Sequence, residues 1–149
     1  SPLQEGIYYH WLAEDSGSLY FEQTSYRVRV KVLDIDKLAI AYQGLTARHA
    51  VLRTNFSTEY AGRSLQIVRK EVPNNFTYQK LDDEVQLELI KQQDRERGFD
   101  LGSGSQMRLH VVDLSQGEYE FIWSSHHILM DGWCVSVLIN DFNELLSAA

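Results

Sequence analysis

The chain has 149 residues, which suits one domain with a hydrophobic core of its own. Hydrophobic residues make up 44% of the chain and charged residues 23%, as in ordinary globular proteins, and the net charge of -7 argues against a nucleic-acid partner. One cysteine, Cys134, excludes an internal disulfide framework and a cysteine-based zinc site, and no apolar run is long enough for a membrane span.

The first elements predicted along the chain are a helix and a strand. Ser1 and Pro2 form a good cap and first turn for a helix over residues 3–13, and a loop follows at residues 15–18. The strand has a dry face, which carries Tyr26, Val28, Val30 and Val32. Its other face carries Arg27, Arg29 and Lys31. This alternation with a period of two is typical of a strand with one face buried.

A long helix follows, capped by Asp34 or Asp36. Its apolar stripe is formed by Leu38, Ala41, Tyr42, Leu45, His49 and Leu52. Shorter strands are then predicted over residues 54–58, 65–70 and 75–80. Asp82 or Asp83 caps another helix, which Gly98 ends.

The last third of the chain predicts an antiparallel hairpin and a final helix. The first strand of the hairpin has an apolar face formed by Met107, Leu109 and Val111. The second strand follows a turn at Gln116 and Gly117, and its apolar face is formed by Tyr119, Phe121 and Trp123. The helical stripe consists of Val135, Leu138, Ile139, Phe142, Leu145 and Leu146. A doubled histidine therefore lies at the junction between the second strand and the final helix.

Residues 126–132 (HHILMDG) place two histidines and an aspartate at this junction. If the strand continues to residue 127, His127 shares a face with Phe121 and Trp123, whereas His126 points to the other side. The two imidazoles then do not converge on one target, and no third ligand is near, which argues against a metal site. One neutral imidazole that faces a cavity suits general base chemistry.

Asp131 and Gly132 complete the run. A carboxylate at Asp131 suits the binding of a basic partner that locks the loop, and Gly132 allows a sharp turn at a helix N-terminus with free backbone N–H groups. The simpler interpretation is a structural histidine before a turn and cap, with Cys134 as a small buried residue. Ser124 and Ser125 do not indicate a serine hydrolase, because no Gly-x-Ser-x-Gly elbow is present.

Three stretches, in the right order, resemble the condensation domains of nonribosomal peptide synthetases, members of the chloramphenicol acetyltransferase-like superfamily. Residues 1–6 (SPLQEG), 48–56 (RHAVLRTNF) and 126–132 are similar to the family's Ser-Pro-x-Gln-x-Gly, Arg-His-x-x-Leu-Arg-Thr-x-Phe and His-His-x-x-x-Asp-Gly stretches. Two positions depart from the pattern. Ser105 replaces a proline that usually precedes a later strand, and Ser125 stands where another histidine often precedes the pair.

The resemblance implies an α/β (α+β) two-layer sandwich, that is, one chloramphenicol acetyltransferase-like lobe with a mixed, largely antiparallel sheet packed against helices. In the family, two such lobes form a V with the active site in a tunnel between them. Residues 1–149 carry the motifs of the N-terminal lobe, so we expect an N-terminal subdomain whose C-terminal lobe is absent. Alone, this lobe is expected to be inactive and to self-associate through an exposed apolar patch.

The resemblance also implies the chemistry. An upstream carrier protein presents an aminoacyl or peptidyl thioester on its 4'-phosphopantetheine arm, and the amine of an aminoacyl group on a downstream carrier protein attacks it. His127 is the catalytic histidine, either as general base or as a group that positions the amine and stabilises the intermediate. Gly132 aims a backbone N–H at the thioester carbonyl, His126 is structural, and Asp131 pairs with Arg53. No cofactor or metal is expected to bind directly.

The implied partners are the two carrier proteins, the C-terminal lobe and an adjacent adenylation domain, without nucleic acid or membrane. The implied setting is cytoplasmic antibiotic or other secondary metabolism. Three other interpretations stay open: an epimerisation domain, a stand-alone acyltransferase of the superfamily, and a non-catalytic module that binds carrier proteins. The paired histidine together with residues 48–56 favours condensation, since stand-alone acyltransferases usually need only His-x-x-x-Asp.

Overall fold

The computed structural model describes residues 1–13, 20–129 and 132–148. Its helices are α1 (Pro2–Ala13), α2 (Ile35–Arg48), α3 (Gln86–Arg97) and α4 (Gly132–Ala148), with a short 3-10 helix at Ala50–Arg53. Its strands are β1 (Phe21–Arg29), β2 (Thr54–Tyr60), β3 (Arg63–Val68), β4 (Phe76–Lys80), β5 (Met107–Asp113) and β6 (Glu118–His126). The predicted loop at residues 15–18 lies outside the described residues. Across the described ranges, no helix is long and apolar enough to cross a membrane.

Four strands form the main sheet in the order β1-β6-β5-β4. β6 pairs antiparallel with β1 on one side and with β5 on the other, whereas β4 and β5 are parallel. A separate antiparallel pair joins β2 and β3. The predicted hairpin and the mixed, largely antiparallel sheet are confirmed. β6 is an inner strand of this sheet, with a neighbouring strand on each side.

Helices cover both faces of the main sheet. On the α2/α4 face, Tyr42 and Phe142 pack against Trp123 with ring centroids 6.1 and 5.2 Å apart. The buried apolar core of this face includes Leu38, Leu45, Leu109, Val111 and Phe121. On the opposite α3 face, a smaller cluster consists of Leu81, Leu87, Val112 and Ile122. The predicted fold class is confirmed, and α3 adds a third layer to the two that were expected.

Local chemistry explains where several elements begin and end. Asp34, the first of the two candidate caps, accepts a hydrogen bond from the Lys37 backbone N–H at 3.1 Å and starts α2. Asp83 instead accepts from Val85 in a turn, so α3 begins three residues after it. Gly117 is the last residue of the turn between β5 and β6. Its φ is 77°, and a Cβ added there would lie 2.6 Å from the Val30 carbonyl oxygen.

The prediction that the first strand buries a face as far as Val32 is partly wrong. β1 begins at Phe21 and ends at Arg29, and Val32 beyond it is 84% exposed. β1 ends there because β6 begins at Glu118, directly after Gly117, the last residue of the turn from β5. β1 therefore extends further toward the histidine end of β6 than the alternation indicated.

Candidate active site

The doubled histidine lies at the end of the central strand β6. The strand ends at His126, one residue earlier than the parity argument assumed, and His127 begins the turn that follows. The His127 backbone N–H nevertheless donates to the Tyr20 carbonyl at 2.8 Å, which continues the pairing with β1. The two rings lie in different surroundings, since His126 is fully buried and the His127 side chain is 35% exposed.

His126 is buried and accepts a hydrogen bond from the turn that follows it. Its Nδ1 accepts a hydrogen bond from the Ile128 backbone N–H at 3.1 Å, and its Nε2 has no partner among the described residues. Burial, with a smaller effect of His127, lowers the pKa of His126 to about 4. A ring that stays uncharged and accepts from the next turn fixes the backbone of that turn.

His127 contacts a carboxylate that sequence reasoning missed. Its Nδ1 lies 2.8 Å from Oε1 of Glu22, whose side chain is 40% exposed. Glu22 pairs in register with Ser125, and His127 follows opposite Tyr20, so the two side chains are diagonal neighbours across the strand pair. Only the register of β1 against β6 could have indicated this contact, and the sequence does not specify that register.

The first helix holds the turn that carries His127. The Gln4 side-chain amide donates to the Ile128 carbonyl at 3.1 Å, across 124 positions of sequence. Ser1 accepts from the Gln4 backbone N–H at 3.3 Å, as expected of a helix cap. Ile128 and Leu129, which follow His127 in this turn, are buried. Two of the stretches singled out in the sequence, residues 1–6 and 126–132, therefore meet in space.

Arg53 ends the short 3-10 helix that follows α2, and its side chain reaches back to the last turn of α2. Its guanidinium donates to the carbonyls of Thr46 at 3.1 Å and Arg69 at 2.5 Å, with longer contacts to two further carbonyls. A cation at the C-terminus of a helix is favourable because the last carbonyls carry partial negative charge. Asp131, the expected partner of Arg53, lies outside the described residues, and that pairing stays a prediction. The backbone of Gly132 begins α4, as expected.

A buried ion pair supports β6 from the α3 face. Arg108 on β5 donates to Asp94 on α3 at 2.5 Å, and its guanidinium stacks 4.2 Å from the Phe99 ring centroid. Burial alone would raise the pKa of Asp94, but hydrogen bonds from Ser124 and Gln23 and the charge of Arg108 outweigh it and lower that pKa. No sequence pattern indicated this cluster.

The described part of the chain contains no group of three or more His, Cys, Asp or Glu side chains placed to hold a metal ion. The geometry instead offers one accessible imidazole on a fixed turn, a carboxylate on its Nδ1, and the N-terminus of a helix five residues further on. This combination suits proton transfer or hydrogen bonding to a reacting group, with backbone N–H donors nearby.

Comparison with characterised proteins finds peptide synthetases. The chain is 36% identical over 154 residues to gramicidin S synthase 2 of Brevibacillus brevis, with 99% of the chain covered. It is 30% identical over 149 residues to bacitracin synthase 1 of Bacillus licheniformis, with 96% covered. The chain spans only 3% of the length of each of these relatives.

Solved condensation domains share the fold. The starter condensation domain of rhizomide synthetase superposes with a TM-score of 0.85 at 16% identity, over 99% of this chain and 36% of that one. The first condensation domain of the CDA synthetase gives a TM-score of 0.85 at 17% identity, over 95% of this chain and 37% of that one. The sequence profile described as "Condensation domain" matches residues 1–149. The chain therefore belongs to the condensation-domain family of nonribosomal peptide synthetases.

Proposed function

We propose that residues 1–149 are the N-terminal lobe of a condensation domain and that the complete domain forms a peptide bond between two carrier-bound acyl groups. The amine nitrogen of the acceptor attacks the carbonyl carbon of the donor thioester. The C–S bond then breaks, and the proton lost by the amine ends on the departing thiol. The thioester is already activated, so the reaction needs no metal and no covalent intermediate on the protein.

The observation that carries this proposal is the position of His127. Its backbone is fixed by the Tyr20 carbonyl and its Nδ1 is occupied by Glu22, so Nε2 is the ring nitrogen left for a reacting group. The side chain is 35% exposed, which leaves it accessible to a substrate. We assign His127 as the catalytic histidine, which acts as a general base or orients the amine and stabilises the charged intermediate.

Gly132, Asp131 and Arg53 complete the proposed site. The first N–H groups of α4 have no intrahelical acceptor, so a backbone N–H at Gly132 suits stabilisation of the developing oxyanion. We propose that Asp131 pairs with Arg53 and that this pair is structural, as is His126. Asp131→Ala should then lower the melting temperature of the complete domain more than His127→Ala does.

The proposed partners follow from the reaction. Two carrier proteins present the donor and the acceptor on 4'-phosphopantetheine arms, an adenylation domain loads the acceptor, and a C-terminal lobe forms the other wall of the tunnel. The lobe alone should not catalyse, because amine and thioester are not held together without that wall. We place the reaction in the cytoplasm.

The test uses the complete condensation domain with its flanking carrier domains, each loaded with a panel of aminoacyl groups, and detects dipeptidyl thioester by mass spectrometry. His127→Ala should lose nearly all product, by about 100-fold or more, whereas His126→Ala should lose less. The His127→Asn variant is the matched control for folding, because its side-chain amide can still donate to Glu22 while Nε2 is missing. It should retain the parent melting temperature.

Three outcomes would contradict the proposal. Equal residual activity in the His126→Ala and His127→Ala variants would remove the assignment of His127. Exchange of the α-proton of one loaded aminoacyl group, without dipeptide, would indicate epimerisation instead. Binding of both carrier domains without either reaction would indicate a recruiting module.

A further inference from the structure

The two neighbouring histidines are bound by partners of opposite hydrogen-bonding character. Nδ1 of His126 faces a donor, the Ile128 backbone N–H, at 3.1 Å. Nδ1 of His127 faces Oε1 of Glu22, at 2.8 Å. An ionised carboxylate can only accept, and a backbone N–H can only donate. The hydrogen on each neutral ring is therefore placed by its partner.

We propose that Glu22 is a positioning residue for His127 and that it holds the ring as the Nδ1–H tautomer, with the lone pair on Nε2. His126 is fixed in the reverse tautomer, with hydrogen on Nε2. This inference rests on the proposed function, in which the acceptor amine meets Nε2 of His127. A free Nε2 lone pair is what the amine needs, whether it gives up a proton or only a hydrogen bond.

The surroundings of the pair distinguish it from an ordinary surface ion pair. Exposed pairs contribute little because both side chains must be ordered for the contact. Here the backbone on both sides is already ordered. Glu22 lies within β1, paired with Ser125 on β6, and the His127 N–H donates to the Tyr20 carbonyl. Gln4 of α1 holds the next carbonyl, at Ile128. The carboxylate therefore meets a ring that is carried by a backbone fixed on both sides.

The geometry also explains why the neighbouring ring is a poor substitute. His126 is fully buried, and its pKa of about 4 keeps it uncharged near neutral pH. Its lone pair is already used by the Ile128 N–H. Of the two imidazoles, only His127 combines an accessible side chain with a lone pair on the outer nitrogen. A carboxylate that orients a base in this way is a recurring arrangement in acyl-transfer sites.

The test is NMR of the complete condensation domain labelled with 15N-histidine, with the His126→Asn and His127→Asn variants used to assign the signals. We expect the unaltered domain to show His127 with hydrogen on Nδ1 and His126 with hydrogen on Nε2. In Glu22→Ala, the His127 signals should shift toward the Nε2–H form, while those of His126 stay unchanged. Glu22→Gln should keep the tautomer, since its amide oxygen still accepts.

Kinetics of dipeptide formation give the second measurement. Glu22→Ala should lower kcat about 10-fold with KM for the acceptor carrier changed less than about twofold, and Glu22→Asp should recover part of the loss. The matched control is Glu118→Ala, at the far end of the same strand pair, where the carboxylate is 31% exposed and pairs with Arg29 at 2.9 Å. It should leave the His127 signals and kcat unchanged.

The two measurements separate this inference from the proposed function. An Nε2–H tautomer for His127 in the unaltered domain, or unchanged signals and kcat in Glu22→Ala, would overturn the role of Glu22. Equal loss of kcat in Glu22→Ala and Glu118→Ala would also overturn it. A domain with the expected tautomers that makes no dipeptide would leave Glu22 as the partner of His127 and refute the peptide-forming function.

Discussion

The two faces of the main sheet are stabilised by different chemistry, although the same strands supply both. On the α2/α4 face, Phe121 and Trp123 of β6 pack against helix side chains in an apolar core. On the α3 face, Arg108 and Asp94 form a buried ion pair, and Lys91 reaches Glu120 at 3.3 Å. The first face thus depends on apolar area removed from water, whereas the second adds paired charges to its smaller apolar cluster.

The two histidines at the end of β6 show the same contrast between the two faces. His126 shares the α3 face with Ser124 and Phe21 by strand parity and register, and it is buried there without charge. His127, just beyond the strand, contacts Glu22, and its side chain is 35% exposed. The buried histidine thus accepts a hydrogen bond from the turn, whereas the next histidine leaves its ring accessible to solvent.

The largest expected effect comes from breaking the ion pair on the α3 face. In the complete condensation domain, Asp94→Ala should lower the free energy of unfolding by about 3–5 kcal/mol, because it leaves the Arg108 charge buried and unpaired. Both side chains are about a tenth exposed, so water cannot replace the carboxylate. Urea unfolding measures the change, with Glu96→Ala, an exposed carboxylate on the same helix, as control.

A loss for Asp94→Ala as small as that for Glu96→Ala would show that the α3 face does not depend on its charges. The double variant Asp94→Leu with Arg108→Met sharpens the comparison. It removes both charges together and should recover most of the stability, because buried pairs are often replaceable by apolar side chains of similar volume.

The second expected effect is a loss of stability in acid, through His126. The unfolded chain takes up a proton near pH 6.5 while the folded ring resists until about pH 4. Stability present above pH 6.5 is therefore lost as the pH falls toward 4, by about 3 kcal/mol in total. His110, whose pKa burial also lowers, contributes in the same direction.

The comparison of the parent domain with His126→Asn isolates the part due to His126. An asparagine side-chain oxygen can still accept from Ile128, but it does not titrate. The variant should therefore show a flatter dependence of the unfolding free energy on pH between 6.5 and 4. Parallel curves for the two proteins would mean that His126 is protonated without cost and that its burial does not fix the turn.

The sequence predicts the α2/α4 face much better than the α3 face. Alternating apolar residues on β5 and β6 and the stripe on α2 identify which side chains meet, because periods of two and 3.6 are visible in the chain itself. The Arg108–Asp94 pair joins polar residues that look like solvated surface. Cys134 was expected to be buried and is exposed on α4. Such placements depend on which elements become neighbours, which no local pattern encodes.

Within the candidate site, too, some features could be predicted from the sequence and others could not. His126 and His127 could be told apart by strand parity, since alternation is a local property of the chain. Glu22 could not be found, because its contact needs the register between β1 and β6, set by strands about a hundred residues apart. The sequence likewise showed residues 1–6 and 126–132 as two separate stretches and did not indicate that Gln4 binds the Ile128 carbonyl.

The smallest expected effect concerns a hydrogen bond between two side chains on the α2/α4 face. Trp123 is buried and its indole N–H donates to the Tyr26 hydroxyl at 3.0 Å. Tyr26→Phe keeps the ring stacked on Phe121 but leaves that donor without its acceptor, so unfolding should become easier by about 1 kcal/mol. Tyr78→Phe makes the same change at an exposed hydroxyl bonded to Asp113 and should have almost no effect.

Urea unfolding of the complete domain compares these two tyrosine changes directly. Equal effects of Tyr26→Phe and Tyr78→Phe would mean that the α2/α4 face tolerates a lost polar contact as readily as open surface does. An effect of Tyr26→Phe as large as that of Asp94→Ala would instead remove the contrast between the two faces, because polar pairing would then matter equally on both.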